Sequence, residues 1–169
     1  MPSRRLAVSL LLCLLGFATG LAGSQATKEK GTKEKKIVEK SQTNVRFINR
    51  AAAGYSQVVE VRSGRTLYIA GQVSVDKDAN LVGRGDFRAQ VQQVFENLKA
   101  RLAEGGASFK DVVKLNYYLT DGSDLQALRE TRNSYINTEH PPASTLVVVK
   151  QLAREEYLIE IEAVAVVGD

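Results

Sequence analysis

Two acidic residues near the C-terminal end have a spacing that could support proton transfer. Glu160 and Glu162 alternate with Ile159 and Ile161, and alternate residues of a β-strand share one face. A carboxyl group held in a cleft can take a proton from an attacking water and return it to a leaving group. Paired acids are as typical of a solvated strand face, so the pattern leaves both interpretations open.

Other reactive side chains are scarce. His140 is the only histidine, and it precedes Pro141 and Pro142 in a predicted loop. Cys13 is the only cysteine, and it lies in an apolar N-terminal run. The sequence therefore predicts no metal site, no disulfide framework and no cysteine nucleophile. The glycines around Arg84 lack the Gly-Lys-Ser ending of a phosphate-binding loop.

The N-terminus has the pattern of a targeting segment. Arg4 and Arg5 precede an apolar run from Leu6 to Leu15, and small residues follow. This pattern predicts a secretory signal peptide over residues 1–26 and a secreted or periplasmic mature protein. The run is shorter than the roughly 20 residues that a membrane span needs. An uncleaved anchor is the alternative, and it is the only membrane contact that we expect.

A charged segment follows the signal. Residues 27–40 contain six lysines and three glutamates, with Ile37 and Val38 as the one sizeable apolar pair. Such a composition buries too little apolar surface to offset the entropy of ordering. We predict a disordered spacer over residues 27–44 and a folded domain over residues 45–169. A lysine patch for acidic surfaces or anionic lipid is the alternative function for the spacer.

The basic charge lies outside the folded domain. The formal net charge is +4; Arg4 and Arg5 contribute two positive charges and residues 27–40 a net three, which leaves −1 from Ser41 onward. A nucleic-acid-binding domain normally concentrates lysine and arginine on its own surface. We therefore predict no nucleic-acid partner.

The folded part alternates between strand and helix patterns. Apolar residues at spacings of three and four predict a helix over residues 86–104, capped by Asp86 and ended by Gly105-Gly106, and a second helix from Ser123 to about Ile136. Runs rich in β-branched residues predict six strands, at residues 45–48, 57–62, 66–75, 112–120, 145–152 and 157–167. The Ser63-Gly64-Arg65 turn predicts a hairpin between the second and third strands.

These elements predict an α+β domain with two helices on one face of a mixed sheet. The other face needs cover, because segments such as Val147–Val149 and Val164–Val167 are apolar throughout. Self-association is the simplest way to hide such a surface.

Several motifs, in order, resemble those of the RidA (reactive intermediate deaminase, or YjgF) family. Gly54-Tyr55-Ser56-Gln57 resembles the family's Pro-Tyr-Ser-Gln, and Leu67–Gln72 resembles its strand ending in Ile-Ser-Gly-Gln. Further similar segments are Ala89–Ser108, Asp111–Lys114, Tyr118–Asp121, Pro141–Leu146 and Ile159–Ala163.

The resemblance implies a chorismate-mutase-like fold and a homotrimer whose sheets form a central barrel, with small-molecule clefts between subunits. It also implies hydrolysis of enamines and imines without a metal or organic cofactor. In such a site an arginine grips the substrate carboxylate through two parallel hydrogen bonds, and a glutamate orients the attacking water.

Transferred to this chain, the catalytic glutamate falls on Glu160. The substrate-binding positions fall on Tyr55, Ala70, Gly71, Ser144 and Leu146. Ser144 stands where the family has its arginine, Ala70 where it has a serine, and Leu146 where it often has cysteine or another small residue. These departures predict an altered substrate or weak activity.

Two functions follow as hypotheses. One is an exported RidA-like hydrolase acting on an imine, an enamine or a related carbonyl compound. The alternative is a non-catalytic trimer that binds a small molecule or a partner in the same clefts. Some relatives have been described as ribonucleases, but the near-neutral domain and the single histidine give that activity little support here.

Overall fold

The computed structural model describes residues 44–168. The predicted signal peptide and nearly all of the predicted spacer lie outside the described residues. The strands are β1 (Val45–Ala51), β2 (Tyr55–Val61), β3 (Arg65–Gln72), β4 (Val112–Leu119), β5 (Ala143–Val148) and β6 (Ile159–Val167). The helices are α1 (Phe87–Glu104) and α2 (Leu125–Asn133), with short 3-10 turns before β4 and before α2.

The six strands form one mixed sheet in the order β1-β2-β5-β4-β6-β3. Strand β5 runs parallel to both of its neighbours, β2 and β4. The remaining pairs, β1–β2, β4–β6 and β3–β6, are antiparallel. The predicted α+β class, with a mixed sheet and two helices, is confirmed.

Helix α1 forms as its sequence predicts and supplies much of the core. The Asp86 carboxylate accepts a hydrogen bond from the Ala89 amide at 3.1 Å, which caps the first turn. The helix buries a stripe completely against the sheet, formed by Val91, Val94, Phe95, Leu98 and Leu102. Gly106, with φ +71, turns the chain out of the helix.

Helix α2 is shorter than predicted at both ends. A 3-10 turn at Gly122–Asp124 precedes it, and Asp121 accepts a hydrogen bond from the Ser123 amide at 2.8 Å. At its other end Tyr135 leaves the helical pattern and stacks on Phe95, with ring centroids 4.8 Å apart. Packing between aromatic rings therefore decides where the second helix ends.

The predicted hairpin between the second and third strands is wrong. Strand β2 pairs with β1 and β5, whereas β3 lies at the opposite edge and pairs with β6. The hairpin instead joins β1 to β2 around Gly54, whose φ is +81 and whose amide donates to the Ala51 carbonyl at 3.0 Å. Both turns contain a glycine, and alternation alone does not say which neighbour a strand selects.

The sheet face opposite the helices is mixed rather than apolar throughout. Tyr68 is 83 % exposed there, and Val147 is also exposed. Polar side chains share this uncovered face, among them Lys114, Asn116 and Glu162.

No helix within residues 44–168 is long and apolar enough to cross a membrane.

Candidate functional site

One cavity collects three of the residues that the sequence predicts for a site. It has a volume of about 360 Å³ and is bordered by Tyr55, Ser144 and Leu146. Its remaining lining comes from the β1–β2 turn, from β2 and β4, and from α2, through Ala53, Gln57, Tyr117, Leu125, Leu128, Arg129 and Arg132. A cavity of this size suits a small molecule.

Strand register places these residues beneath α2. In the parallel β4–β5 ladder, Ser144 lies beside Leu115 and Leu146 beside Tyr117. Leu115 and Tyr117 are buried on the helix-covered face, and neighbours across a ladder point to the same face. Ser144 and Leu146 therefore face α2.

Strand β2 is held beside them by hydrogen bonds to the loop before β5. The Ser56 hydroxyl donates to the Pro141 carbonyl at 2.7 Å, and the Ser56 amide donates to the Pro142 carbonyl at 3.1 Å. Ser56 is the β2 residue that pairs with β5. Because Tyr55 is its neighbour along the strand, its side chain points to the opposite face, toward the cavity.

The other three predicted residues lie on the uncovered face. Glu160 pairs with Tyr118 across the β4–β6 ladder, and Tyr118 alternates with the buried residues of β4. Ala70 and Gly71 fall where the β3–β6 register shifts between Ile69 and Gln72. A register shift of this kind changes the direction in which the backbone N–H and C=O groups of an edge strand point.

Gly71 lies directly against Glu160. A Cβ atom at Gly71 would collide with the carboxylate of Glu160 and would lie 2.8 Å from its Cδ. A side chain at position 71 would have to displace the Glu160 carboxylate, so glycine is what permits this close approach. Strands β3 and β6 therefore place Gly71 and Glu160 in contact.

The two acids on β6 have different surroundings. Glu162 accepts hydrogen bonds from Asn116 Nδ2 at 2.6 Å and from the Tyr118 hydroxyl at 3.1 Å. That bond to Glu162 is the main cause that raises the pKa of Tyr118. Burial, and then the charge of Glu162, raise the pKa of Glu160. The Glu162 carboxylate is held by hydrogen bonds within the sheet. The Glu160 carboxyl instead lies against Gly71 and has a raised pKa.

The predicted site residues thus form two groups on opposite faces of one sheet. Tyr55, Ser144 and Leu146 lie under α2, whereas Ala70, Gly71 and Glu160 lie on the uncovered face. A single chain does not bring the groups into one cleft.

Sequence reasoning missed the two arginines of the first cavity. Arg129 and Arg132 are three residues apart on α2, a spacing that places them on one face of a helix. The same helix contributes Leu125 and Leu128 to the cavity. The helical spacing of Arg129 and Arg132 relative to Leu125 and Leu128 is the sequence signal that could have placed both arginines beside the cavity.

Metal ligands and a histidine-based nucleophile find no support in the part of the chain that the structure describes. Residues 44–168 contain no group of three His, Cys, Asp or Glu side chains able to hold a metal ion. His140 instead packs its ring on Phe47, with centroids 5.8 Å apart.

Comparison with known proteins decides the family. The sequence profile of the family described as Endoribonuclease L-PSP matches residues 46–167. A RutC family protein of Pyrococcus abyssi is 40% identical over 111 residues, which cover 66% of this chain and 84% of that protein. The chain belongs to the RidA/YjgF family.

Further relatives of this RidA-family chain extend the comparison. A protein of Dermatophagoides farinae named 2-iminobutanoate/2-iminopropanoate deaminase is 34% identical over 113 residues, covering 67% of this chain and 85% of that protein. A crystal structure of a Rid-family protein of unknown function, YyfB of Yersinia pestis, superposes with a TM-score of 0.68. It is 40% identical and covers 74% of this chain and 100% of that one. The fold implied by the resemblance is confirmed.

Proposed function

We propose that this RidA-family chain hydrolyses an imine, an enamine or a related small carbonyl compound, with Glu160 as the residue that activates water. The single observation that carries the proposal is the carboxyl of Glu160, which lies against the Gly71 backbone with a pKa raised by burial and by Glu162. A carboxyl whose pKa moves toward neutrality is better suited to accept a proton and return it. The deaminase name of the Dermatophagoides relative is consistent with this chemistry.

The reaction follows from those groups. The substrate reacts with its imine nitrogen protonated. Glu160, ionised, takes a proton from water as the water oxygen bonds to the imine carbon and the π electrons of the carbon–nitrogen double bond move to nitrogen, which gives a neutral carbinolamine. Glu160 then returns that proton to the nitrogen. As the carbon–nitrogen bond breaks and ammonia leaves, Glu160 takes the hydroxyl proton of the carbinolamine, the carbonyl forms, and the proton passes to solvent. Water supplies the oxygen, and no electrons are exchanged with an outside group. Gly71 allows backbone groups to approach the acid closely.

We propose a homotrimer as the working form, because one chain separates its two groups of site residues. In a ring of three copies, the Tyr55, Ser144 and Leu146 group of one subunit can face the Ala70, Gly71 and Glu160 group of the next. A head-to-tail interface that closes after three copies repeats one such cleft at each contact. Exposed Tyr68 and Val147 are apolar area that this contact would cover.

A non-catalytic binding module is the second candidate function. Ser144 stands at the position of the family's arginine, and Ala70 offers no hydroxyl. The cavity under α2 therefore lacks the arginine that the family's reaction uses at position 144, and the uncovered face lacks a hydroxyl at position 70, while a small ligand still fits the volume of the cavity. In both cases we propose an exported protein, on the strength of the apolar run after Arg4 and Arg5.

The experiment that separates the two functions uses a matched pair of variants. In a coupled assay, 2-iminobutanoate is generated in situ and its hydrolysis is followed in the full chain. We expect Glu160→Gln to lose at least about 100-fold in rate, the usual contribution of a general acid–base group, while the trimer remains folded. Glu162→Gln on the same face is the control and loses far less. Full activity in Glu160→Gln would contradict the hydrolase and favour the binding module.

A further inference from the structure

Arg132 is a buried cation that has no anionic partner among residues 44–168. Its residue is only 8% exposed. The guanidinium donates from Nε and Nη2 to Asn133 Oδ1, at 3.2 and 2.9 Å, and from Nη2 to the Ala53 carbonyl at 3.4 Å. All of these acceptors are neutral. Among residues 44–168 no aspartate or glutamate forms an ion pair with it.

Burying an unpaired charge is costly, so proteins rarely keep one without a use. The location of Arg132 at the last turn of α2 favours a positive charge. The helix dipole therefore stabilises the charged guanidinium even when no carboxylate is bound. A ligand anion would complete its hydrogen bonding, since five N–H groups are available on an arginine.

The guanidinium borders the predicted site. Arg132 and Arg129 line the same cavity as Tyr55 and Ser144. Both arginines also line a neighbouring cavity of about 320 Å³, which Arg50 shares. Neither Arg129 nor Arg50 forms an ion pair within the described part of the chain.

Among the described residues that line these two cavities, the one acid is already hydrogen-bonded to other side chains. Glu130 lines the neighbouring cavity, but its carboxylate accepts from Arg88 at 2.8 Å and from Gln126 at 2.9 Å. The α2 side of the cavities is therefore basic. A small anion would meet two unpaired guanidinium groups there.

The space for Arg132 depends on an unusual residue in the β1–β2 turn. A Cβ atom at Gly54 would collide with Arg132 Nη2. Gly54 also adopts φ +81, which proline cannot reach because its ring fixes φ near −65°. Gly54 stands where the RidA-family motif Pro-Tyr-Ser-Gln has proline. Glycine at this position leaves space for the Arg132 guanidinium beside the turn.

We infer that Arg132, assisted by Arg129, forms a carboxylate-binding subsite in the cavity beside Ser144. The cation that Ser144 cannot supply from β5 is supplied from α2. This inference deepens the proposed function and rests on it for the carbonyl chemistry, and it assigns small 2-oxo or 2-imino acids as the ligand class. A planar guanidinium suits a carboxylate because its N–H groups match the two oxygens.

Binding of a stable acid tests the subsite without turnover. The full chain is titrated calorimetrically with 2-oxobutanoate and with its methyl ester, which has the same shape and no charge. We expect the acid to bind at least about ten-fold more tightly than the ester, as loss of a charge-assisted hydrogen bond predicts. Equal affinity for acid and ester would overturn the inference.

Variants locate the charge that the acid meets. Arg132→Lys keeps the charge but loses the fork, and we expect it to weaken acid binding about ten- to 100-fold and leave ester binding unchanged. Arg129→Gln, at an exposed position, should weaken acid binding by a smaller factor. Arg84→Gln is the control, because Arg84 pairs with Glu156 outside both cavities.

A rescue completes the design. Adding Ser144→Arg to Arg132→Lys should restore acid binding, since it returns a guanidinium to the same cavity. Wild-type acid affinity in both Arg132→Lys and Arg129→Gln would overturn the inference. Should Arg132→Lys fail to fold, undiminished affinity in Arg129→Gln overturns it alone. A chain that hydrolyses no imine but prefers acid over ester through Arg132 retains this subsite and loses only the proposed reaction.

Discussion

Glu160 illustrates how a functional group can lower stability. Burial and the charge of Glu162 raise its pKa in the folded chain above the ordinary value of 4.5. The folded state therefore disfavours the ionised form. Below pH 4.5 the carboxyl is protonated in both folded and unfolded chains and costs nothing, but as pH rises through the folded pKa stability is lost.

This linkage predicts a pH-dependent effect of Glu160→Gln. The variant should have a higher melting temperature than the wild type at pH 7.5, and the difference should vanish near pH 4. Thermal unfolding at the two pH values measures it. Glu162→Gln should behave oppositely at pH 7.5, because it weakens charge-assisted bonds from Asn116 and Tyr118. A melting temperature of Glu160→Gln that is lower at pH 7.5 would contradict the assignment.

Local sequence could identify Glu160 but not Arg132. The alternation of two acids with two isoleucines is visible in the chain, and a family resemblance attaches a role to it. A charged residue on a helix is normally exposed, so nothing local marks Arg132 as buried. Its burial comes from the β1–β2 turn, which is distant in sequence and reaches α2 only through the fold.

Among the elements, the β1–β2 turn has the clearest dependence on one residue. Gly54→Ala should lose about 1–2 kcal/mol for its positive φ, and more because the added Cβ meets Arg132. Gly85→Ala is a matched control, since Gly85 has a similar φ of +69 and no atom within 4 Å of the added Cβ. The loss of stability in each variant is measured from the midpoint of its urea unfolding curve, relative to the wild type. Equal losses of stability in the two variants would show that the Arg132 side chain moves away from the added Cβ without destabilising the fold.

The elements that sequence predicted well are those decided by neighbours along the chain. Helix α1 begins at an Asp86 cap and ends at two glycines, both local signals. Helix α2 ends early because Tyr135 stacks on Phe95, which is forty residues away in sequence. The false hairpin has the same origin: β2 selects the loop at Pro141 and Pro142 through Ser56, a long-range contact.

The separation of the two groups of site residues predicts that activity requires association of several chains. Glu160→Gln disables one group, and Leu146→Trp fills the cavity of the other. Each variant alone should be inactive. Co-refolded in equal amounts, they should recover about a quarter of the wild-type rate, because random mixing pairs an intact group with an intact neighbour at that frequency in a closed ring.

Sedimentation equilibrium supplies the matching physical measurement, with a trimer expected at micromolar concentration. A stable monomer that is fully active would contradict both the mixed-trimer result and the shared cleft. Wild-type chain diluted and reconcentrated serves as the control for loss of activity during refolding.

Export is tested on the protein from its native host. Removal of roughly the first 20–26 residues is expected, given the basic start and the apolar run after it. Intact-mass spectrometry of the purified protein measures the new N-terminus. A full-length chain beginning at Met1 in the cytosol would contradict the prediction.

Arg132 and Glu160 lie on opposite faces of the sheet, so ligand binding and bond cleavage depend on different parts of the domain. Substitutions under α2 can change the charge and shape that a ligand meets without touching the packing of β3 against β6. Changes around Gly71 can likewise tune the acid without disturbing α2. A mutational library aimed at new ligands therefore has a defined half of the domain to sample, and natural drift in ligand preference could proceed there while the reactive carboxyl stays as it is.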